Sequence, residues 1–152
     1  MHQGSRDRIR GAVILFVIAV VINYVWEMAQ MPLYESMPFA EISSWLICLR
    51  ASLGDGLIVM VIWGGGALLF RSALWFRHRQ PLPALYLLSA GAAIAIGIEL
   101  HALANGRWSY SPLMPVLPLL EVGVSPFLQL LLLPWISMWL ARRRLRRSAR
   151  VS

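Results

Sequence analysis

Four carboxylates, Glu27, Asp55, Glu99 and Glu121, sit inside apolar stretches of a 152-residue chain that carries seven acidic residues in all. A charged acid costs roughly 2.5–3.5 kcal/mol at the centre of a membrane helix on insertion scales, so an acid kept there implies a use. Low dielectric favours the neutral form of a carboxyl group. A neutral acid can protonate an alkene, an epoxide or a leaving oxygen, and a second, ionised acid can stabilise positive charge or take the proton back. On this reading Glu27 is the proton donor and Glu99 the partner base or charge stabiliser, while Asp55 and His101 tune or relay protons. Glu121 is expected at the rim of the same site.

The neighbours of these acids are polar at helical spacing. Asn23, Glu27 and Gln30 follow i, i+4 and i+7, and Glu121, Ser125 and Gln129 follow i, i+4 and i+8, so each set forms one stripe on a helix. Lipid satisfies neither stripe, so the two should face each other. Ser52 and Asp55 lie at i and i+3, and Glu99 and His101 stand beside Asn105, Arg107, Trp108 and Tyr110. Trp26, Tyr24, Trp108 and Tyr110 could present ring faces to a carbocation, although each also suits an interfacial belt. Asn23, Gln30, Trp26, Trp108, Tyr110, Glu121 and Gln129 are the expected substrate-binding set. Arg50 and Arg107 could separate the acids into unlike pairs. The segment Gly106–Pro118, with Pro112, Pro115 and Pro118, reads as a rigid cap over the cluster.

The elements that must position these groups are set by hydropathy. Hydrophobic residues make up 59% and charged residues 14%, against about 45–50% and 25% in soluble domains, and mean hydropathy is +0.65. A span needs about 20 apolar residues. Four windows meet this, at about Gly11–Leu33, Ser44–Phe70, Pro83–Ala104 and Pro118–Leu140, which predicts a single all-α domain, an integral membrane four-helix bundle. Counted from the far end of each span, Glu27, Asp55, Glu99 and Glu121 are 16, 15, 16 and 19 residues along. Because the helices alternate in direction, this common level does not follow from sequence order, and it predicts one site near the outer face.

All fourteen basic residues are arginines. Arg6, Arg8 and Arg10 precede the first span, Arg71, Arg77 and Arg79 separate the second from the third, and six more between Arg142 and Arg150 follow the fourth. Only Arg50 and Arg107 fall toward the other side. The positive-inside rule then places both termini in the cytoplasm, as expected of a bacterial inner-membrane protein. The net charge of +7 is read as topology and not as a nucleic-acid footprint. The basic start followed by an apolar run is read as a retained helix, since no small-residue cleavage site closes it. Gly64–Gly66, Gly91 and nearby alanines are read as close helix packing.

Other chemistries find less support. Cys48 is the single cysteine, without a partner at metal-ligand spacing. Glu27, Asp55, Glu99 and His101 could offer oxygen and nitrogen to a metal, yet Glu99 and His101 are two apart, about 200° around a helix, so no metal or other cofactor is expected. His2 and His78 are too peripheral for a bis-histidine haem. The glycine run lacks a phosphate-binding lysine. The expected partners are the bilayer and a lipophilic small molecule, with self-association left open. A proton- or cation-coupled transporter is the alternative, although coupling sites are expected at the midplane.

The segment Asn23-Tyr-Val-Trp26-Glu27 resembles the Asn-x-x-Trp-Glu segment of the small membrane-bound terpene cyclases of meroterpenoid pathways. That resemblance covers five residues. It implies a membrane-embedded Glu and Asp that protonate an isoprenoid, roles that would fall to Glu27 and Asp55. Taken together, an acid–base cyclase, isomerase or hydratase acting on an isoprenoid, carotenoid or sterol-like substrate is expected.

Overall fold

A computed structural model describes residues 2–35, 37–77 and 81–148; His78, Arg79 and Arg150 lie outside these residues. Four long helices carry the fold: α1 (His2–Gln30), α2 (Ile42–Leu69), α3 (Pro81–Ala104) and α4 (Val124–Ser148). Single 3-10 turns at Met31–Leu33 and Trp75–Arg77 follow α1 and α2. No strand occurs among the described residues beyond two isolated bridges, Tyr34 with Tyr110 and Val116 with Gly123. All four helices are long and apolar enough to cross a membrane, over Ile9–Leu33, Ile42–Leu69, Pro81–Ala104 and Val124–Arg146.

The fourth helix begins at Val124 and not at Pro118, which corrects the expected boundary. Residues 115–124 fold into a tight clasp instead. Leu117 N donates to Val122 O (2.8 Å) and Val124 N to Pro115 O (2.8 Å), while Leu119 and Glu121 take φ values of 71° and 53°. Left-handed residues cannot continue a right-handed helix. Glu121 is therefore exposed in a connection, outside the stripe that Ser125 and Gln129 continue.

The helices run up, down, up, down. Gly11 meets Leu145, Gly56 meets Val20 and Phe16, Gly65 meets Tyr86, and Gly91 meets Leu130. α1 packs along both α2 and α4, and α3 along α4; the seam between α2 and α3 is much lighter. One end of the bundle carries the connections 31–41 and 105–123 and is called the acid end below. The other, the arginine end, carries residues 70–77 and both outer helix termini.

The apolar core fills the arginine half. Leu15, Ala19, Val59, Ile62, Trp75, Leu87, Met138 and Ala141 form one buried cluster. Trp75 folds back under α2, where any β-carbon at Gly66 would collide with its indole. A second close approach uses two residues together. Pro134 lies inside α4 and has no N–H to give to Leu130 O, four residues earlier. Gly91 packs onto that free carbonyl, and a β-carbon there would strike it. The outward faces carry many exposed large apolar side chains, among them Val17, Val21, Leu57, Val61, Leu85 and Trp135, a surface suited to lipid contact.

Candidate functional site

The acid half of the bundle is polar inside. α1 contributes Asn23, Glu27 and Gln30, α2 contributes Asp55, and α4 contributes Ser125 and Gln129. Gln129 is the hub. Its Nε2 lies 2.8 Å from Glu27 Oε1, 2.8 Å from Asp55 Oδ2 and 3.0 Å from Asn23 Oδ1. Its Oε1 accepts from Gln30 Nε2 at 3.0 Å, and Gln30 Oε1 accepts from Ser125 Oγ at 2.8 Å. Asn23 is held in turn by its own Nδ2, which donates to Ala19 O at 2.8 Å. The two polar stripes therefore meet, as their spacing on α1 and α4 suggested.

An amide nitrogen carries two hydrogens, yet three acceptors surround this one. Glu27 and Asp55 thus accept from one and the same nitrogen. A hydrogen bond between two carboxyl groups exists only when a proton sits between them. The geometry thus has room for a Glu27–Asp55 pair that holds one proton in common, with Gln129 bridging both.

Glu99 is built differently. It is almost fully buried on α3, and both of its neighbours donate to one oxygen, Oε2: the Trp108 indole at 3.3 Å, and the Tyr110 hydroxyl in a short contact. Tyr110 in turn accepts from Gly123 N at 2.9 Å. Donation runs one way, Gly123 N–H to Tyr110 O–H to Glu99, so Glu99 stands at the accepting end. Local backbone chemistry makes this possible. After α3, Gly106 N donates to Leu103 O and Arg107 N to Ala102 O, with Gly106 at φ 59°, a Schellman cap that needs the left-handed residue glycine supplies. The chain then turns back over Glu99.

Tyr34, which helical spacing does not mark, packs beside the two rings that donate to Glu99. Its ring centroid is 5.8 Å from that of Tyr110 and 6.4 Å from that of Trp108. Burial pushes its hydroxyl well above the ordinary range, and the charges of Glu99, Glu27, Tyr110 and Asp55 add to this. Burial likewise raises Tyr110, helped by its hydrogen bond to Glu99. Both phenols therefore remain donors. No periodicity marks Tyr34, because Pro32 ends the helix before it.

Several expected members stand apart. His101 is exposed and contacts Asn105, whose Nδ2 donates to His101 O at 2.6 Å; it does not join the three acids, because two residues along a helix turn it to another face. Glu121 is exposed, for the backbone reason given above. Ser52 is buried but donates to Cys48 O in its own helix. Trp26 shares the broad α1 face of Asn23 and Gln30, and its Nε1 is buried with no acceptor. Among the described residues no group of three or more His, Cys, Asp or Glu is placed to hold a metal ion.

No protein-family model, no curated protein and no solved structure matches the chain.

Proposed function

We propose that this chain is an integral membrane enzyme that performs acid–base chemistry on a lipid-soluble molecule. An isoprenoid, carotenoid or sterol-like substrate is the class intended, and cyclisation, isomerisation or hydration the reaction. The observation that carries the reading is the difference between the carboxyl groups. Glu27 and Asp55 face each other around a single amide that offers two hydrogens to three acceptors, whereas Glu99 terminates a chain of donors. One pair is suited to hold a proton and the other acid to receive one.

In an isomerisation the balance is simple, and a cyclisation adds one step between protonation and proton loss, in which the π electrons of a second double bond form the new C–C bond and carry the positive charge to its other carbon. Glu27 gives a proton to one carbon of a double bond, whose π electrons form the new C–H bond and leave a carbocation. Tyr34, Trp108 and Tyr110 offer ring faces to that charge. An adjacent C–H bond then breaks, its electrons restore a double bond, and the proton passes to Glu99. The substrate keeps its formula, and the enzyme resets when the proton returns to the Glu27–Asp55 pair. The spans lie in a bacterial inner membrane with both termini cytoplasmic, which puts the acid end at the outer leaflet. The asymmetry of the arginines supports this orientation.

The test compares lipid extracts, by mass spectrometry, from cells expressing the native chain, Glu27→Gln or Asp55→Asn at equal levels of folded protein. A lipid converted only by the native chain is expected, with conversion falling by a factor of about 10²–10⁴ in either variant. Full conversion by a well-folded Glu27→Gln protein would remove the proton-donor role and bring coupled transport forward.

A further inference from the structure

The way into this site is not from the acid end itself. There the strand-like segments after α1 and α3 are tied together: Ser111 N donates to Leu33 O (2.9 Å), Glu35 N to Ser109 O (3.0 Å), Ser111 Oγ to Pro32 O (2.9 Å) and Ser109 Oγ to Glu35 Oε2 (2.8 Å). Tyr34 and Tyr110 are the bridge pair of this tie, with their rings tilted against each other and Trp108 edge-on to Tyr34.

The side is different. α1 and α4 are packed on each other along their length, so the α2–α3 seam closes the ring of helices. At the arginine end it is shut: Tyr86 Oη donates to Ile62 O at 3.0 Å and fills the space over Gly65, and Ile58, Ala90 and Ile94 pack against the core. One or two turns further toward the acid end, the same helical lines open. On α2, Gly54 and Ile47 are exposed; on α3, Gly97, Ile98 and His101 are exposed. A β-carbon at Gly54 or Gly97 would meet nothing within 4 Å. Asp55 follows Gly54 on α2, half-buried, with its Oδ2 on Gln129 in the interior of the bundle.

The flanks of the opening carry the two arginines that the topology rule leaves unexplained. Arg50 lies on α2 and Arg107 follows α3, both exposed, and neither is ion-paired among the described residues. Arg50 is five residues from Asp55, about 7.5 Å along the helix. A guanidinium at that level is costly in lipid unless it meets an anion or reaches the interface.

We propose that the α2–α3 seam at the acid end is a lateral entry for an amphiphile with an anionic head and an apolar chain, the head held at Arg50 and the chain drawn in toward Asp55. The inference rests on the acid–base reading only for what happens after entry. Binding is read separately from turnover.

The experiment uses the full chain in phosphatidylcholine nanodiscs, titrated with hexadecyl phosphate, hexadecanol or inorganic phosphate and read by native mass spectrometry. Hexadecyl phosphate should bind one per chain, hexadecanol more weakly, and inorganic phosphate not at all. Arg50→Gln should weaken hexadecyl phosphate about tenfold, the value of a lost charged hydrogen bond, and leave hexadecanol nearly unchanged. Gly97→Leu and Gly54→Leu, which add bulk where a β-carbon meets nothing within 4 Å, should weaken both amphiphiles. Gly64→Leu adds the same bulk at the arginine end, also in open space, and should change neither. Glu27→Gln should bind normally, so lost turnover with retained binding separates the two claims. Equal binding of alcohol and phosphate ester, binding of inorganic phosphate alone, or equal effects of Gly64→Leu and Gly97→Leu would each overturn the proposal.

Discussion

The two halves of the bundle solve the same problem in opposite ways. At the arginine end three aromatic tips each donate to a backbone carbonyl: Trp63 Nε1 to Ala73 O (3.1 Å), Trp75 Nε1 to Trp63 O (3.0 Å) and Tyr86 Oη to Ile62 O (3.0 Å). Each donor has one acceptor, and aromatic rings fill the remaining space, with Phe70 stacked on Trp75 at 5.5 Å. At the acid end acceptors crowd one another, and donors run short around Gln129. A closed set of hydrogen bonds specifies shape, whereas a set with surplus acceptors calls for protons supplied from outside it. The arginine half is built to hold, and the acid half leaves acceptors over, as the proposed proton exchange requires.

The largest effect should come from breaking the half that holds. Trp75→Ala removes a fully buried indole on which Phe70, Phe76 and Tyr86 pack, a loss of about 3–5 kcal/mol for a large aromatic truncated in a core. Denaturant unfolding in detergent measures it. A loss below 1 kcal/mol would mean that the aromatic end is not the anchor of the fold.

The same comparison is sharpened by Gln129→Leu. Leucine keeps the bulk and takes away the bridge, leaving the Glu27 and Asp55 oxygens, Asn23 Oδ1 and Gln30 Nε2 without that partner. Hydrogen bonds between membrane helices are worth about 0.6–2 kcal/mol, so the fold should survive with a loss in that range while conversion falls much further. A variant with stability lost and conversion intact would reverse the division of labour between the halves. Smaller still are Glu121→Gln and His101→Gln, together with Glu35→Gln and Glu41→Gln in the α1–α2 connection. All four groups are exposed, and each change should stay within about 0.5 kcal/mol.

What the sequence disclosed follows the physics of periodicity. Asn23, Glu27 and Gln30 lie in unbroken helix, so their spacing stated their common face, and Gln129 was found because Ser125 precedes it by one turn. The level of Asp55 and Glu99 followed from counting along apolar spans. Periodicity fails where helices end. Glu121 looked like part of the fourth stripe, but left-handed Leu119 and Glu121 put it in a clasp. Tyr34 and the Gly123 N–H act from irregular backbone, whose course depends on hydrogen bonds between segments some 75 residues or more apart, such as Glu35 with Ser109 and Ser111 with Leu33. The glycine run was legible as packing, yet which ring filled it was not: Trp75 and Tyr86 come from beyond a turn.

The last effect concerns pH and the tie at the acid end. Tyr34 and Tyr110 are raised by burial above the ordinary phenol value of 10.0, Tyr110 also by its bond to Glu99. In the unfolded chain both would lose their protons near that value, while the folded chain keeps them. The unfolded state then binds fewer protons, so stability contributed by these groups is complete below the ordinary value and declines as pH rises beyond it. Thermal unfolding in detergent between about pH 9 and pH 11 should show this decline. Tyr110→Phe should flatten it, because one of the two groups no longer titrates in either state, at the cost of the donor to Glu99. A slope unchanged by Tyr110→Phe would mean that the hydroxyl is open to water at the acid end and not sealed beneath the tie between residues 33–35 and 109–111.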